Sequence, residues 1–558
     1  MTLENPDLAI SQAAELLPIT EVARRAGIPE QALIPYGRDK AKVEVSAVPQ
    51  RAEPGRLVLV SAMSPTPAGE GKSTVTVGLA DAFTLLGTRA MVALREPSLG
   101  PVMGMKGGAA GGGHAQVAPM EDINLHFTGD FHAIQLANNT IAALLDNHIQ
   151  HGNALDIDPR RVQWKRVLDV NDRALRQIVI GLGGPSQGTP REDGFDIVVA
   201  SEIMAILCLS TSLTDLRRRV GDIVVAMTRS REPVTVRELG IDGAITLLLR
   251  DAMKPNLVQT LGGTPALVHG GPFANIAHGC SSLVATRLAT SLADVTVTEA
   301  GFGSDLGAEK FLDIKARVGG LRPDAVVLVA TVRALKRHGG AALDRLEDED
   351  VEALQTGTAN LRRHVENIRR FGLEPVVAVN RFPADTPAEL EAVLAWAARQ
   401  GVRAAVADVW ARGGEGGTDV ARELLAVMDG RGGEDFHHLY DPQDGIEASL
   451  TRIAQDVYGA RGIQLTDAAP AALRRLQRNG WDRLPVCVAK TQYSFSDDAS
   501  ALGAPQDHVL HVRDLVPRIG AGFVVALTGS IMTMPGLPKQ PAALRMDVDE
   551  QGRAVGLF

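Results

Sequence analysis

Cysteine is scarce in this chain of 558 residues, with only Cys208, Cys280 and Cys487 present. An odd count without Cys-x-x-Cys spacing excludes a disulfide framework and a cysteine zinc site, and it predicts three free thiols in a reducing compartment. Long hydrophobic runs are missing as well. No stretch approaches the roughly 18 apolar residues that a membrane span requires, and the amino-terminal Met1-Thr2-Leu3-Glu4-Asn5-Pro6-Asp7 is acidic where a signal peptide needs a basic start. A cytoplasmic protein without a membrane partner is expected. Excess positive charge is also lacking: the formal net charge of −9 argues against a broad nucleic-acid surface, while a local basic patch could still bind anionic substrates. Aromatic residues make up only 4% of the chain, so any that fall on glycine-rich loops stand out.

Apolar content of 45% is ample for sizeable cores, and the length suits three to four domains. The most informative segment is Thr66-Pro67-Ala68-Gly69-Glu70-Gly71-Lys72-Ser73, which follows the apolar run Leu57 to Val60 and precedes an apolar-periodic stretch. Small residues at a strand-to-helix turn let backbone N–H groups converge on a polyphosphate. The helix N-terminus adds positive potential, Lys72 supplies a cation, and Ser73 is placed to hold Mg²⁺. Thr66 stands where the strict P-loop pattern has glycine, so the surrounding strand-turn-helix context carries the assignment, and Thr74 completes the expected phosphate-binding set.

The helix from Lys72 to about Leu86 and the run Ala90 to Leu94 complete a β-α-β unit ending in Arg95-Glu96. Parallel strands finish on one edge, where ligands bind, so Arg95 is expected beside the phosphate loop as a charge stabiliser and catalytic candidate with Lys72. Residues 98–114 are too rich in glycine for a helix or strand and are expected to form a shaped loop, with N–H donors from Gly107 to Gly113. His114, His126, Asp130 and His132 lack zinc-site context, and metal binding is not expected there.

These segments resemble the formate-tetrahydrofolate ligase family. The resemblance is carried by residues 66–74, 95–113, 127–132, 269–279 and 298–311. It continues through Val-Asn-Arg-Phe at 379–382, Gly-Gly-Glu-Gly-Gly at 413–417, Lys-Thr-Gln-Tyr-Ser-Phe-Ser-Asp at 490–497 and Met-Thr-Met-Pro-Gly-Leu-Pro at 532–538. It covers the whole chain and suits the monofunctional form. It implies that Mg-ATP phosphorylates formate and that tetrahydrofolate takes the formyl group from formyl phosphate. It further implies activation by K⁺ or NH₄⁺, no redox cofactor, and a homotetramer acting on tetrahydrofolate or its polyglutamates. Phe302 and Trp410 are implied to face the pterin, with Pro383 lining the slot. Phe382, on another loop at a strand end, joins them as a folate candidate, and Glu96 is the candidate for holding the monovalent cation.

The expected fold is α/β, a P-loop-type nucleoside triphosphate-binding parallel sheet core with two smaller α/β lobes. The expected divisions are residues 1–362 for nucleotide and formyl phosphate, 363–462 lining the folate site, and 463–558 as a carboxy-terminal lobe. Two other classes share parts of the pattern. A partition or scaffold ATPase would place a lysine early in the loop, where this chain has Pro67. A dethiobiotin synthetase-like carboxylase would be much shorter.

Overall fold

Seven parallel strands form the middle of one large sheet, and nearly all are continuous apolar runs because helices cover both faces. In a computed structural model describing residues 6–105, 110–430, 432–529 and 531–557, these strands are β1 (Arg56–Ala62), β2 (Ala90–Leu94), β3 (Pro265–Val268), β4 (Val295–Glu299), β5 (Ala325–Ala330), β6 (Pro375–Asn380) and β7 (Arg403–Ala407). They lie in the order β3-β2-β4-β1-β5-β6-β7 within a 12-stranded sheet. Beyond β3 the pairing turns antiparallel through Asn256–Thr260, Ala41–Val43 and Leu33–Pro35. The register brings the strand ends level: Leu94 pairs with Val268, Glu299 with Val60, Ala330 with Val379, and Asn380 with Ala407.

Alternation sorts the strand side chains into two cores. Leu57, Leu59, Leu328, Val377 and Val379 face one side, with Leu335, Leu361 and Trp396. Val58, Val60, Val92, Val329 and Ala378 face the other, with Leu79, Phe83 and Leu424. The first helix after β1, α1 (Lys72–Leu85), is buried at every position from Thr74 to Phe83. It is covered by the sheet on one side and by Gly413–Gly417 and Thr418–Asp429 on the other. On the opposite face lie α2 (Val332–His338) and α3 (Val351–Arg369).

Several sequence expectations change at this level. The expected boundary at 362 falls inside α3, and the sheet runs through it: β6 and β7 pair in parallel with β5 and with each other, so they extend the main sheet and are not a second layer. Their backbones find partners only on the open side of β5. A four-stranded sheet of Gly462–Leu465, Val509–Arg518, Phe523–Thr528 and Val486–Ala489 does stand apart near the carboxy terminus. A further core, unforeseen, gathers residues between Phe131 and Met253 around Ile203, Leu207 and Val225.

The segment 98–114 is not wholly loop. Leu99–Gly104 is a short helix, started by Asp169, which accepts from the Leu99 N–H at 2.8 Å and from Ser98 Oγ at 2.6 Å, and Gly111–Gly112 is a short strand. Residues Gly107 to Ala109 of the expected donor run lie outside the described residues. After β3 the next helix begins at Leu283, capped by Ser282. The helix after β4 starts as two π-helical turns, Ser304–Ala308 and Phe311–Lys315.

Candidate active site

Residues from six neighbouring strands converge where the strands end. The segment Thr66 to Ser73 leaves β1, Arg95 and Glu96 leave β2, and Phe302 follows β4. Arg333 follows β5, Phe382 and Pro383 follow β6, and Trp410 follows β7. This is the edge at which open parallel sheets bind ligands.

The loop is held from behind. Glu70 is buried, and its carboxylate accepts from Thr66 N at 2.6 Å, from Thr66 Oγ1 at 2.8 Å, and from the Thr331 hydroxyl. Burial raises its pKa, with the Arg333 charge and these hydrogen bonds pulling the other way. Arg333 donates to the Gly69 carbonyl, and Asn380 Nδ2 donates to the Glu70 carbonyl at 3.0 Å. Gly71 is left-handed at φ 67°, and a Cβ there would meet Asn380 Nδ2 at 2.4 Å, so this position requires glycine. The Glu70 side chain is therefore spent on shaping the loop, while Pro67, Ala68, Gly69, Gly71, Lys72 and Ser73 stay partly or fully exposed and Thr66 and Thr74 are buried.

Arg95 does not pair with its neighbour Glu96. Its guanidinium donates to Glu299 Oε1 and to the Pro272 carbonyl, both at 3.3 Å, and Ser73 Oγ donates to the other oxygen of Glu299 at 2.8 Å. Glu299, only 1% exposed, thus ties the helix-starting serine of β1-α1 to the arginine of β2. No motif spacing singles out Glu299, although a carboxylate closing an otherwise apolar strand is a usable signal. Gly301 leaves room for this arrangement, since a Cβ there would fall 2.9 Å from Arg95 Nη1.

Glu96 points into the protein. Its N–H donates to the Gly270 carbonyl at 2.8 Å, and Oε2 is buried without a hydrogen-bond partner among the described residues. Burial, then the charges of Asp130 and Asp169, push its pKa well above the usual carboxylate range against the pull of Lys42. Lys42 itself is 2.7 Å from Asp130 in a buried ion pair. His126 and His132 stack at 5.1 Å, and among the described residues no group of three or more His, Cys, Asp or Glu side chains is placed to hold a metal.

The four folate candidates meet different partners. The Arg333 guanidinium, which also donates to the Gly69 carbonyl, stacks on Phe382 at 3.8 Å, so this ring adjoins the Thr66 to Ser73 loop, and Pro383 beside it is exposed. Trp410 is 37% exposed and donates from Nε1 to Asp7 Oδ1 at 2.9 Å. Its carbonyl accepts from His114 N at 2.9 Å, and a Cβ on Gly113 would lie 2.1 Å from that carbonyl oxygen. Phe302 is half-buried with a left-handed φ of 60°, a costly conformation for an aromatic residue. Among the described residues no ring contact joins Phe302, Phe382 and Trp410 to one another.

A mostly parallel α/β sheet with a glycine-rich strand-to-helix turn, a lysine and serine opening the helix, and an arginine one strand-end away defines the class of protein built to handle an anionic ligand. The chain belongs to the formate-tetrahydrofolate ligase family, whose model matches residues 5–558. It is 62% identical over 560 residues to the formate-tetrahydrofolate ligase of Arthrobacter sp. (strain FB24), covering 99% of both chains. It is 63% identical to that of Corynebacterium jeikeium, covering 99% of this chain and 98% of the relative, and 59% identical to that of Staphylococcus carnosus, covering 99% of each. The three cysteines are unpaired and buried, and no helix among the described residues is long and apolar enough to cross a membrane.

Proposed function

We propose that this protein ligates formate to tetrahydrofolate at the expense of ATP, giving 10-formyltetrahydrofolate, ADP and phosphate. The observation that carries the reading is the Ser73–Glu299–Arg95 bridge, which puts a phosphate-binding helix start and an anion-binding guanidinium in one constellation, in a chain about 60% identical to named ligases along its whole length.

Formate has no adequate leaving group, so its oxygen first attacks the γ-phosphorus of ATP and releases ADP. The N–H groups of Gly71 and Lys72 at the start of α1 face the polyphosphate, while that of Gly69 closes the loop on the Thr66 carbonyl at 3.0 Å; Lys72 shields the γ-phosphoryl oxygens, and Arg95 neutralises the approaching carboxylate. Ser73 Oγ and the Glu299 carboxylate are hard oxygen donors of the kind Mg²⁺ prefers; bound there, the ion would neutralise charge between the phosphates. The folate N10 amine then attacks the carbonyl carbon of formyl phosphate, Arg95 steadies the tetrahedral oxyanion, and phosphate departs. Glu299 holds the guanidinium in place through both steps. Phe302, Phe382, Pro383 and Trp410 form the apolar wall for the flat pterin, whose stacking contributes about 0.5–1.5 kcal/mol per aromatic beyond burial. Glu96, with its unpartnered buried oxygen beside Asp130, fits a monovalent cation such as K⁺ or NH₄⁺. A homotetramer in the cytoplasm, with folate polyglutamates accepted, completes the reading.

The test is a coupled assay with ATP, Mg²⁺, K⁺, formate and tetrahydrofolate, following 10-formyltetrahydrofolate by acid conversion to its absorbing methenyl form. Product with stoichiometric ADP is expected only in the complete mixture. ADP release independent of formate and folate would overturn the proposal.

A further inference from the structure

Away from the sheet edge, a cleft of about 460 Å³ opens between the strand Ile157–Val162 and the helix Ala469–Arg478. Six arginines line it, Arg160, Arg161, Arg231, Arg474, Arg475 and Arg478, and among the described residues no acidic side chain does. Asp158 answers two of them, at 3.0 Å from Arg160 and 3.1 Å from Arg161. The other four have no acidic partner within ion-pair distance among the described residues, and Arg475 Nε is buried without any hydrogen-bond partner. Like charges gathered this closely repel, and in a chain of net charge −9 they are not the overflow of a basic composition.

We propose that this cleft is a binding site for an oligophosphate, separate from the ligase centre. Guanidinium groups carry planar forks of donors and match phosphate oxygens bidentately. A carboxylate offers acceptors in one plane, whereas each phosphate of a chain offers oxygens in several directions, which suits arginines arriving from two walls. On the helix, Arg474 and Arg478 are one turn apart, a rise of about 6 Å, so they address successive groups of an extended polyanion. Among the described residues no aromatic side chain lines the cleft to stack on a base, and the site reads the phosphate chain rather than a nucleoside. The volume lies in the range of small-ligand sites, about 300–1,000 Å³. None of its lining residues belongs to the strand ends that carry the phosphate loop, and the inference stands apart from the ligase reading.

Titration of the full-length protein with tripolyphosphate, by calorimetry in magnesium-free buffer, tests it. Comparing wild type with R474A/R478A isolates the cleft from any binding at the phosphate loop. Both arginines are exposed, so the variant is expected to fold with an unchanged melting temperature and to keep formate- and folate-dependent turnover within about twofold. Its tripolyphosphate affinity should fall at least tenfold, and the wild-type affinity should weaken as salt rises. Equal affinity in the two proteins would overturn the proposal. Citrate binding to the cleft as tightly as tripolyphosphate would overturn the choice of phosphate as its ligand.

Discussion

Replacing Arg95 by serine removes the one guanidinium that faces the strand-end site from β2, and the structure separates its chemical from its structural consequence. Arg95 gives its charge to Glu299, a carboxylate that is 1% exposed and also accepts from the Ser73 hydroxyl. Truncating one partner of a buried pair leaves an uncompensated charge, which costs about 3–5 kcal/mol; because Arg95 is 18% exposed and water can reach the gap, the lower end is expected. Loss of a donor that stabilises developing negative charge costs about 2.7–4 kcal/mol, or a factor of about 10²–10³ in kcat. The double variant R95S/E299Q separates the two, since glutamine removes the stranded charge while one amide oxygen can still accept from Ser73. R95S should therefore melt several degrees low and turn over about 10²–10³-fold more slowly, with ATP affinity within about threefold of wild type. R95S/E299Q should recover most of the melting temperature and none of the rate. The assays are product formation by the methenyl absorbance, ADP and ATP titrations, and thermal denaturation of all four corners of the cycle. ATP affinity collapsing in step with kcat, or rate recovering with stability, would refute the role given to Arg95.

Trp410→Ala should raise the KM for tetrahydrofolate about tenfold with little change in that for ATP; equal effects on both would make the indole a scaffold residue, held by Asp7 and Gly113. Arg333→Ala frees the Gly69 carbonyl, loosens Glu70 and uncovers Phe382, so the KM for ATP should rise about five- to tenfold, and an unchanged value would mean that the loop keeps its shape without it. Glu202 is buried, accepts from Gly520 N at 2.8 Å, and has its pKa pushed up to about 7 by burial. A raised carboxyl pKa means that the stabilisation is present below the unfolded value of 4.5 and is lost as pH rises through 7, a swing of about 3 kcal/mol. Glu202→Gln keeps the acceptor without the charge, so its melting temperature should gain on wild type between pH 5 and 8; parallel pH profiles would contradict this.

Much of the fold was legible along the chain because it rests on local rules. The apolar runs at Leu57 to Val60, Ala90 to Leu94 and Ala325 to Ala330 are buried strands, and the helix after Gly71-Lys72-Ser73 starts where the loop chemistry demands. The lysine, serine and arginine at strand ends follow from the β-α-β order alone, since parallel strands must finish on one edge. Family membership was legible too, carried by long motifs.

Tertiary structure decided what depends on partners distant in the sequence. That β6 and β7 join the main sheet was fixed by the open side of β5, 45 residues or more before them. The helix at Leu99–Gly104 forms among glycines because Asp169, far along the chain, satisfies its first N–H. Glu70 reads as a ligand-facing loop residue until Thr331 and Arg333 arrive from β5 to claim it. Glu299, silent in the motif, becomes the link between Ser73 and Arg95 only when β4 lies between β2 and β1. Propensity and turn chemistry act over a few residues and can be read from them. Strand order and the pairing of buried charges are settled by which surfaces remain to be covered once the chain has folded back on itself.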